Sequence, residues 1–123
     1  MSATDEPDFD WSQAASLLGD DPNGVEADMA VIARELVEGA EVQFQELKSK
    51  NAETDGKAIS ALAHGLRGCL LNFGFTEVGT ILMQIEKGPC PASEYPGKLD
   101  QAYAVFVASK KVLAERYPSL GLP

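Results

Sequence analysis

Apolar residues recurring at spacings of three and four, segment after segment, constrain this chain more than any other feature. From about Gly24 to Lys50 the series Val25, Met29, Ile32, Leu36, Ala40, Phe44 and Leu47 keeps that rhythm. Such spacing lines one face of an α-helix. No stretch alternates apolar and polar residues for long enough to make a strand. The chain is therefore expected to be all-α.

Glycine and proline punctuate the rhythm. A short first helix is predicted to start after Asp10, with Gln13 completing a capping-box-like pair, and to stop near Leu18 before Gly19-Asp20-Asp21-Pro22. Phe9, Ala14 and Leu18 would form its buried side, with Trp11 at the margin. Asn23 and Glu26 offer a second capping box, opening the long helix over about 24–50, and Lys48 and Lys50 suit its negative end. A third helix is predicted from Thr54 or Asp55 to about Phe73, with Gly74 as terminator. A fourth starts near Thr76, buries Val78, Ile81, Leu82 and Ile85, and ends at Gly88-Pro89. A Pro- and Gly-rich loop runs to about Gly97. The last helix then buries Leu99, Ala102, Phe106, Leu113 and Tyr117 before Pro118 closes it. These elements predict an antiparallel up-down four-helix bundle with a short additional N-terminal helix. Its expected span is 9–118, with a flexible N-terminus at 1–8 and a C-terminal tail at 119–123.

Charge and composition narrow the function. The 123 residues suit one domain, and the formal net charge of −9 repels phosphate backbones and anionic lipid. Nucleic acid and membrane are poor partners for such a chain. The acidic start MSATDEPDFDW is the reverse of a signal or transit peptide, and no apolar run approaches the roughly 20 residues of a membrane span. Two cysteines, Cys69 and Cys90, read as free thiols in a reducing cytoplasm. One histidine without a Cys-x-x-Cys pair predicts no metal site, and no glycine-rich phosphate loop is present.

The single histidine is the feature with chemistry in it. On a helical wheel Ile59, Leu62, Leu66, Cys69 and Phe73 cluster within about 60° of Leu66, with Leu70 at the edge, and His64 falls roughly 160° away. The imidazole is therefore predicted to face water. Lys57, Ser60, Ala61, Arg67, Gly68 and Leu71 share its side of the helix, and none is acidic. Gly65 and Gly68 each cost about 1 kcal/mol relative to Ala inside a helix. Close approach by another molecule is the simplest reason for them. A neutral imidazole can attack phosphorus, Arg67 could meet the anionic oxygens that follow, and Gly68 leaves them room. No orienting acid is evident nearby in the sequence, so a hydrolytic triad is not indicated. Each of these features alone is ordinary on a solvated helix surface; their combination is not.

The string His64-x-Leu66-Arg67-Gly68, followed by Phe73-Gly74, resembles the signature of histidine-containing phosphotransfer domains. Ile85-Glu86 looks like the apolar-Glu or apolar-Gln pair that ends the next helix in that family. Phe9-Asp10-Trp11 followed by Gly-Asp-Asp-Pro is similar to its opening. Gly65 stands where the family more often has Thr or Ser, and Leu70 where a small residue is common.

The resemblance implies a phosphorelay intermediate of a two-component system. Such a protein takes a phosphoryl group from a receiver-domain aspartate, the receiver belonging in some cases to a hybrid histidine kinase, and passes it to another receiver. It implies a carrier without ATP-dependent kinase activity and without its own cofactor, the Mg2+ being expected on the partner receiver. Site residues carried over are His64 as phospho-acceptor, Arg67 for charge balance and Gly68 for steric clearance, with Ala61 and Leu71 in the docking patch. A free-standing cytoplasmic monomer is the expectation. The competing reading is a non-catalytic interaction module of the same shape that binds or sequesters a response regulator. An enzyme acting on small molecules is disfavoured, because His64 has no paired carboxylates, metal ligands or glycine-rich loop around it in sequence.

Overall fold

The computed structural model describes residues 7–87 and 93–122, and among them the chain is helical throughout, with no strand. The elements are α1 (Trp11–Leu18), α2 (Ala27–Lys48), α3 (Gly56–Asn72), α4 (Thr76–Lys87) and α5 (Tyr95–Arg116), followed by a 3-10 turn at Pro118–Leu120. Helix α2 packs on α3 and α5, and α4 packs on the same two, so the four longer helices close a ring; α1 rests on α2. No helix among the described residues is long and apolar enough to cross a membrane.

The ring closes on fully buried Phe44, Leu47, Leu66, Leu70, Phe75, Leu82, Phe106 and Leu113, one or more from each wall. The Phe44 and Phe106 ring centroids are 5.2 Å apart, and those of Phe75 and Phe106 are 5.9 Å apart. Each such aromatic pair adds roughly 0.5–1.5 kcal/mol beyond the area it buries.

The turn between α3 and α4 sets the angle at which these helices meet. Gly74, as expected, ends α3 with φ +96°. Its N–H donates to Leu71 O at 3.0 Å and the N–H of Phe75 donates to Leu70 O at 3.0 Å, the Schellman pattern. The N-terminal segment locks onto this turn. Asp10 N–H donates to Gly74 O at 2.8 Å, and Gln13 Nε2 donates to Asn72 O at 2.9 Å. The Asp10 cap of α1 forms, Gln13 N–H donating to its Oδ1 at 3.1 Å, but the Gln13 side chain is spent on α3 instead of closing the box.

Several expectations need correction. Helix α2 starts at Ala27, not Gly24, and the Asn23–Glu26 box does not form. The Asn23 N–H donates to Asp21 Oδ1, and Glu26 makes no side-chain cap. The buried row of α2 is Ala30, Ala33, Val37, Ala40, Phe44 and Leu47, while Ile32 is 46 % exposed. Two apolar rows lie side by side on this helix. The row with smaller residues faces inward, where it admits close helix packing, and the bulkier row is turned towards the α3 edge. On α3 the inward axis runs through Ile59, Ala63, Leu66 and Leu70, so Leu62 is only partly buried and Cys69 is exposed. Helix α5 begins at Tyr95, with Pro96 in the first turn where its missing N–H costs nothing. Tyr95 is buried and its hydroxyl donates to Leu47 O at 2.7 Å.

The expected tail is not loose where it is described. Leu120 is fully buried, and Arg34 Nη1 donates to its carbonyl at 2.8 Å. At the other end Asp8 N–H donates to Glu77 Oε1 at 2.8 Å, within the segment expected to be flexible. Residues 1–6, 88–92 and Pro123, among them the expected Gly88-Pro89 stop and Cys90, lie outside the described residues.

Candidate functional site

His64 sits in the middle of α3 with its side chain 67 % exposed, on the face the periodicity assigns to it. Its Nδ1 is 2.8 Å from Glu86 Oε2, a carboxylate near the end of α4. Arg67, one turn along α3, donates from Nε to Glu86 Oε1 at 3.0 Å, with Nη2 also 3.0 Å from that oxygen. Ser60 Oγ donates to the backbone carbonyl of Glu86 at 3.0 Å and holds this part of α4 against α3. Arg67 and Glu86 are 17 % and 16 % exposed, so the imidazole stands out from a largely covered ion pair.

The distances decide the tautomer. Arg67 Nη2 also lies 3.3 Å from His64 Nδ1, and a guanidinium only donates. Nδ1 cannot serve as acceptor for Arg67 and donor to Glu86 together. A lone pair on Nδ1 would face a carboxylate oxygen at 2.8 Å, so the shorter contact prevails and Nδ1–H donates to Glu86. In the neutral ring this tautomer leaves the lone pair on Nε2.

Glu86 is tuned to keep that role. Its covered position acts to raise the carboxyl pKa, but hydrogen bonds and charge from His64 and Arg67 outweigh this and hold it below the ordinary carboxylate range. The group is an anion wherever the protein is folded near neutral pH.

The surface beside His64 is bare. A Cβ added at Gly65 or Gly68 meets nothing within 4 Å, and the same holds at Gly39 on α2. None of the three is explained by packing inside the molecule. Gly79 is the opposite case: a Cβ there would lie 2.7 Å from Leu71 Cδ2. Leu71 is thus half-buried, its tip seated on α4, while Ala61 is exposed. Beyond the glycines a groove runs between α2 and α3, lined by Ile32, Leu36, Gly39 and Gln43 with Leu66 and Cys69, and rimmed by Glu35.

His64 and Gly68 are exposed on one side of α3 as expected, and Arg67 lies beside them but largely covered. Glu86 was legible only as half of an apolar-Glu pair with no assigned role; it lies 22 positions from His64 and on another helix, where no periodicity reaches. Arg67, expected to be free for an anion, has Nε and Nη2 engaged by Glu86, leaving its remaining donors for a ligand. The groove was missed because Ile32 and Leu36 read as core. Among the described residues no group of three or more His, Cys, Asp or Glu side chains is placed to hold a metal. No protein-family model matches the chain, and no match is found among curated proteins or solved structures.

Proposed function

We propose that this chain is a phosphorelay intermediate that accepts a phosphoryl group on His64 from a receiver-domain aspartate and passes it to another receiver. The observation that carries the reading is an exposed imidazole whose Nδ1 lies 2.8 Å from Glu86 Oε2, an arrangement that leaves Nε2 for an incoming group. That is the arrangement an uncatalysed nucleophile needs: one nitrogen fixed, the other free.

The step balances without any further reactant. The Nε2 lone pair attacks the phosphorus of the aspartyl phosphate, the N–P bond forms, and the P–O bond breaks with its electron pair leaving on the aspartate carboxylate. Nδ1 keeps its proton, so the phosphorylated ring carries positive charge. The Glu86 carboxylate beside it balances that charge, and the free donors of Arg67 face the phosphoryl oxygens. Transfer to the next receiver reverses the sequence. This chain's part uses no cofactor; the magnesium ion that completes the site belongs to the receiver.

The ring of four helices is read as an antiparallel up-down four-helix bundle, with α1 as the additional N-terminal helix. The groove beside His64 is read as the receiver's seat, with Ala61 on its α3 wall and the exposed part of Leu71 on the other side of His64. Gly39, Gly65 and Gly68 support this: each costs about 1 kcal/mol of helix propensity and meets nothing in the free protein. The protein would act as a soluble cytoplasmic monomer.

The test is labelling by a receiver charged with acetyl phosphate. Acid-labile, alkali-stable phosphate on the native chain and none on His64→Gln is the expected result. Equal labelling of the substituted chain would end the proposal. Tight receiver binding with no phosphate uptake would replace it by the sequestering module.

A further inference from the structure

The outer half of α2 is unusual in its charges. Asp28, Glu35, Glu38 and Glu46 are all exposed, and with about 100° per residue they fall on the side of α2 away from the core. Exposed Val31 and Val42, the latter 65 % exposed, lie among them, and Ile32 with the rest of the α2 wall of the groove borders them on the Glu35 side. The helix has two cations, and neither reaches this side. Arg34 is bound to Leu120 O, and Lys48 lies towards α5 beside Phe44, Leu99 and Tyr103. The α3 wall of the same surface, Ala58, Ala61, Gly65, Gly68 and Cys69, is uncharged. Among the described residues, Lys57 shares the His64 side of α3 by helical register, and Arg67 is paired with Glu86. The seat is therefore polarised, bare and neutral beside the imidazole, apolar in the groove, acidic along the far rim.

We infer that this acidic rim selects the partner: receivers that dock in the α2–α3 groove carry lysine or arginine on the surface that meets α2, and receivers with an acidic surface there are rejected. The inference rests on the phosphoryl-carrier reading and deepens it. Exposed valine and isoleucine give the contact apolar area, while a row of like charges sets which partner can approach. The same row argues against a second copy as the occupant. An isologous pairing across α2 would set the rim against itself, carboxylate against carboxylate. A partner of opposite charge removes that repulsion and gains steering during encounter.

The test uses the intact chain and two purified receivers, one basic and one acidic on the helix surface flanking its phospho-aspartate. With the basic receiver, the second-order transfer rate should fall by about tenfold between about 50 mM and about 500 mM salt. The triple variant Glu35→Lys, Glu38→Lys, Glu46→Lys should raise KM for that receiver by about tenfold, with much less effect on transfer at saturation, and should improve transfer from the acidic one. Asp28 is left in place because an acid in the first turn supports the helix itself. The Glu→Gln triple should fall between the two, and a native-like circular dichroism melt checks that each variant folds. Transfer that is indifferent to salt and to both triples overturns the inference and leaves the carrier reading intact. Self-association of the native chain through α2, abolished by the lysine triple, would also overturn it. No transfer from any receiver, even at saturation, overturns the carrier reading and this inference with it.

Discussion

Glu86 Oε2 stands 2.8 Å from His64 Nδ1, bridging α4 to α3 and fixing which imidazole nitrogen faces solvent. A side chain that orients another without touching the incoming group should show itself in the ring's protonation pattern as well as in rate. Glu86→Gln keeps the shape and removes the charge. Phosphate uptake is expected to slow by about tenfold, because an amide oxygen gives the phosphorylated, cationic ring a weaker hydrogen bond than a carboxylate does. Glu86→Ala should in addition shift the neutral ring away from its Nδ1–H form, read by nitrogen NMR. An unchanged tautomer pattern in the alanine variant would mean that Glu86 does not set it.

The depressed pKa of Glu86 has a definite pH consequence. A carboxyl whose folded pKa lies below its ordinary value of 4.5 contributes stability that is complete above that value and is lost as pH falls through the folded pKa. Carbon NMR should therefore place the Glu86 midpoint below the ordinary value of 4.5, and Arg67→Ala should raise it. A Glu86 midpoint at or above that ordinary value would contradict the ion-pair geometry.

The helical glycines separate folding from function. Gly68→Ala and Gly65→Ala meet open space, so each should stabilise the protein by up to about 1 kcal/mol, read as a higher midpoint in denaturant. A bulky change such as Gly68→Gln should leave the fold intact and slow transfer from a receiver. Gly74→Ala should instead destabilise by roughly 1–3 kcal/mol, because φ is +96° there and the new Cβ would lie 2.5 Å from Asp10 O. Gly68→Gln with full transfer would remove the clearance argument.

What the sequence revealed, and what it withheld, follows from the range of its signals. Local periodicity put His64 outside and Leu66 inside, because both depend only on residues within two turns. It misplaced Ile32 because α2 has two apolar rows, and only the neighbouring helices decide which one is covered. Pairing of Glu86 with His64 and Arg67 depends on how α4 lies across α3, which is set by the Gly74 turn and by Leu71 on Gly79. No spacing within one helix encodes that. The α2–α3 groove was hidden for the same reason, being a property of two helices whose sequences read as ordinary amphipathic segments.

Leu120 is the last case of this kind and the easiest to test. Pro118 ends the periodic pattern, so the residues after it read as a tail, yet Leu120 is fully buried and its carbonyl accepts from Arg34. The 3-10 turn brings it back against α2, adding core far from His64 in the sequence. Leu120→Ala should cost about 2–4 kcal/mol, in the range for emptying a buried leucine site. Arg34→Met keeps much of the side chain's bulk and deletes its hydrogen bond, and should cost less, about 1–2 kcal/mol. Because both residues lie away from the imidazole, labelling of His64 at a temperature where each variant is folded should match the native chain. A Leu120→Ala variant as stable as the native protein in urea would show that the turn does not hold its place against α2.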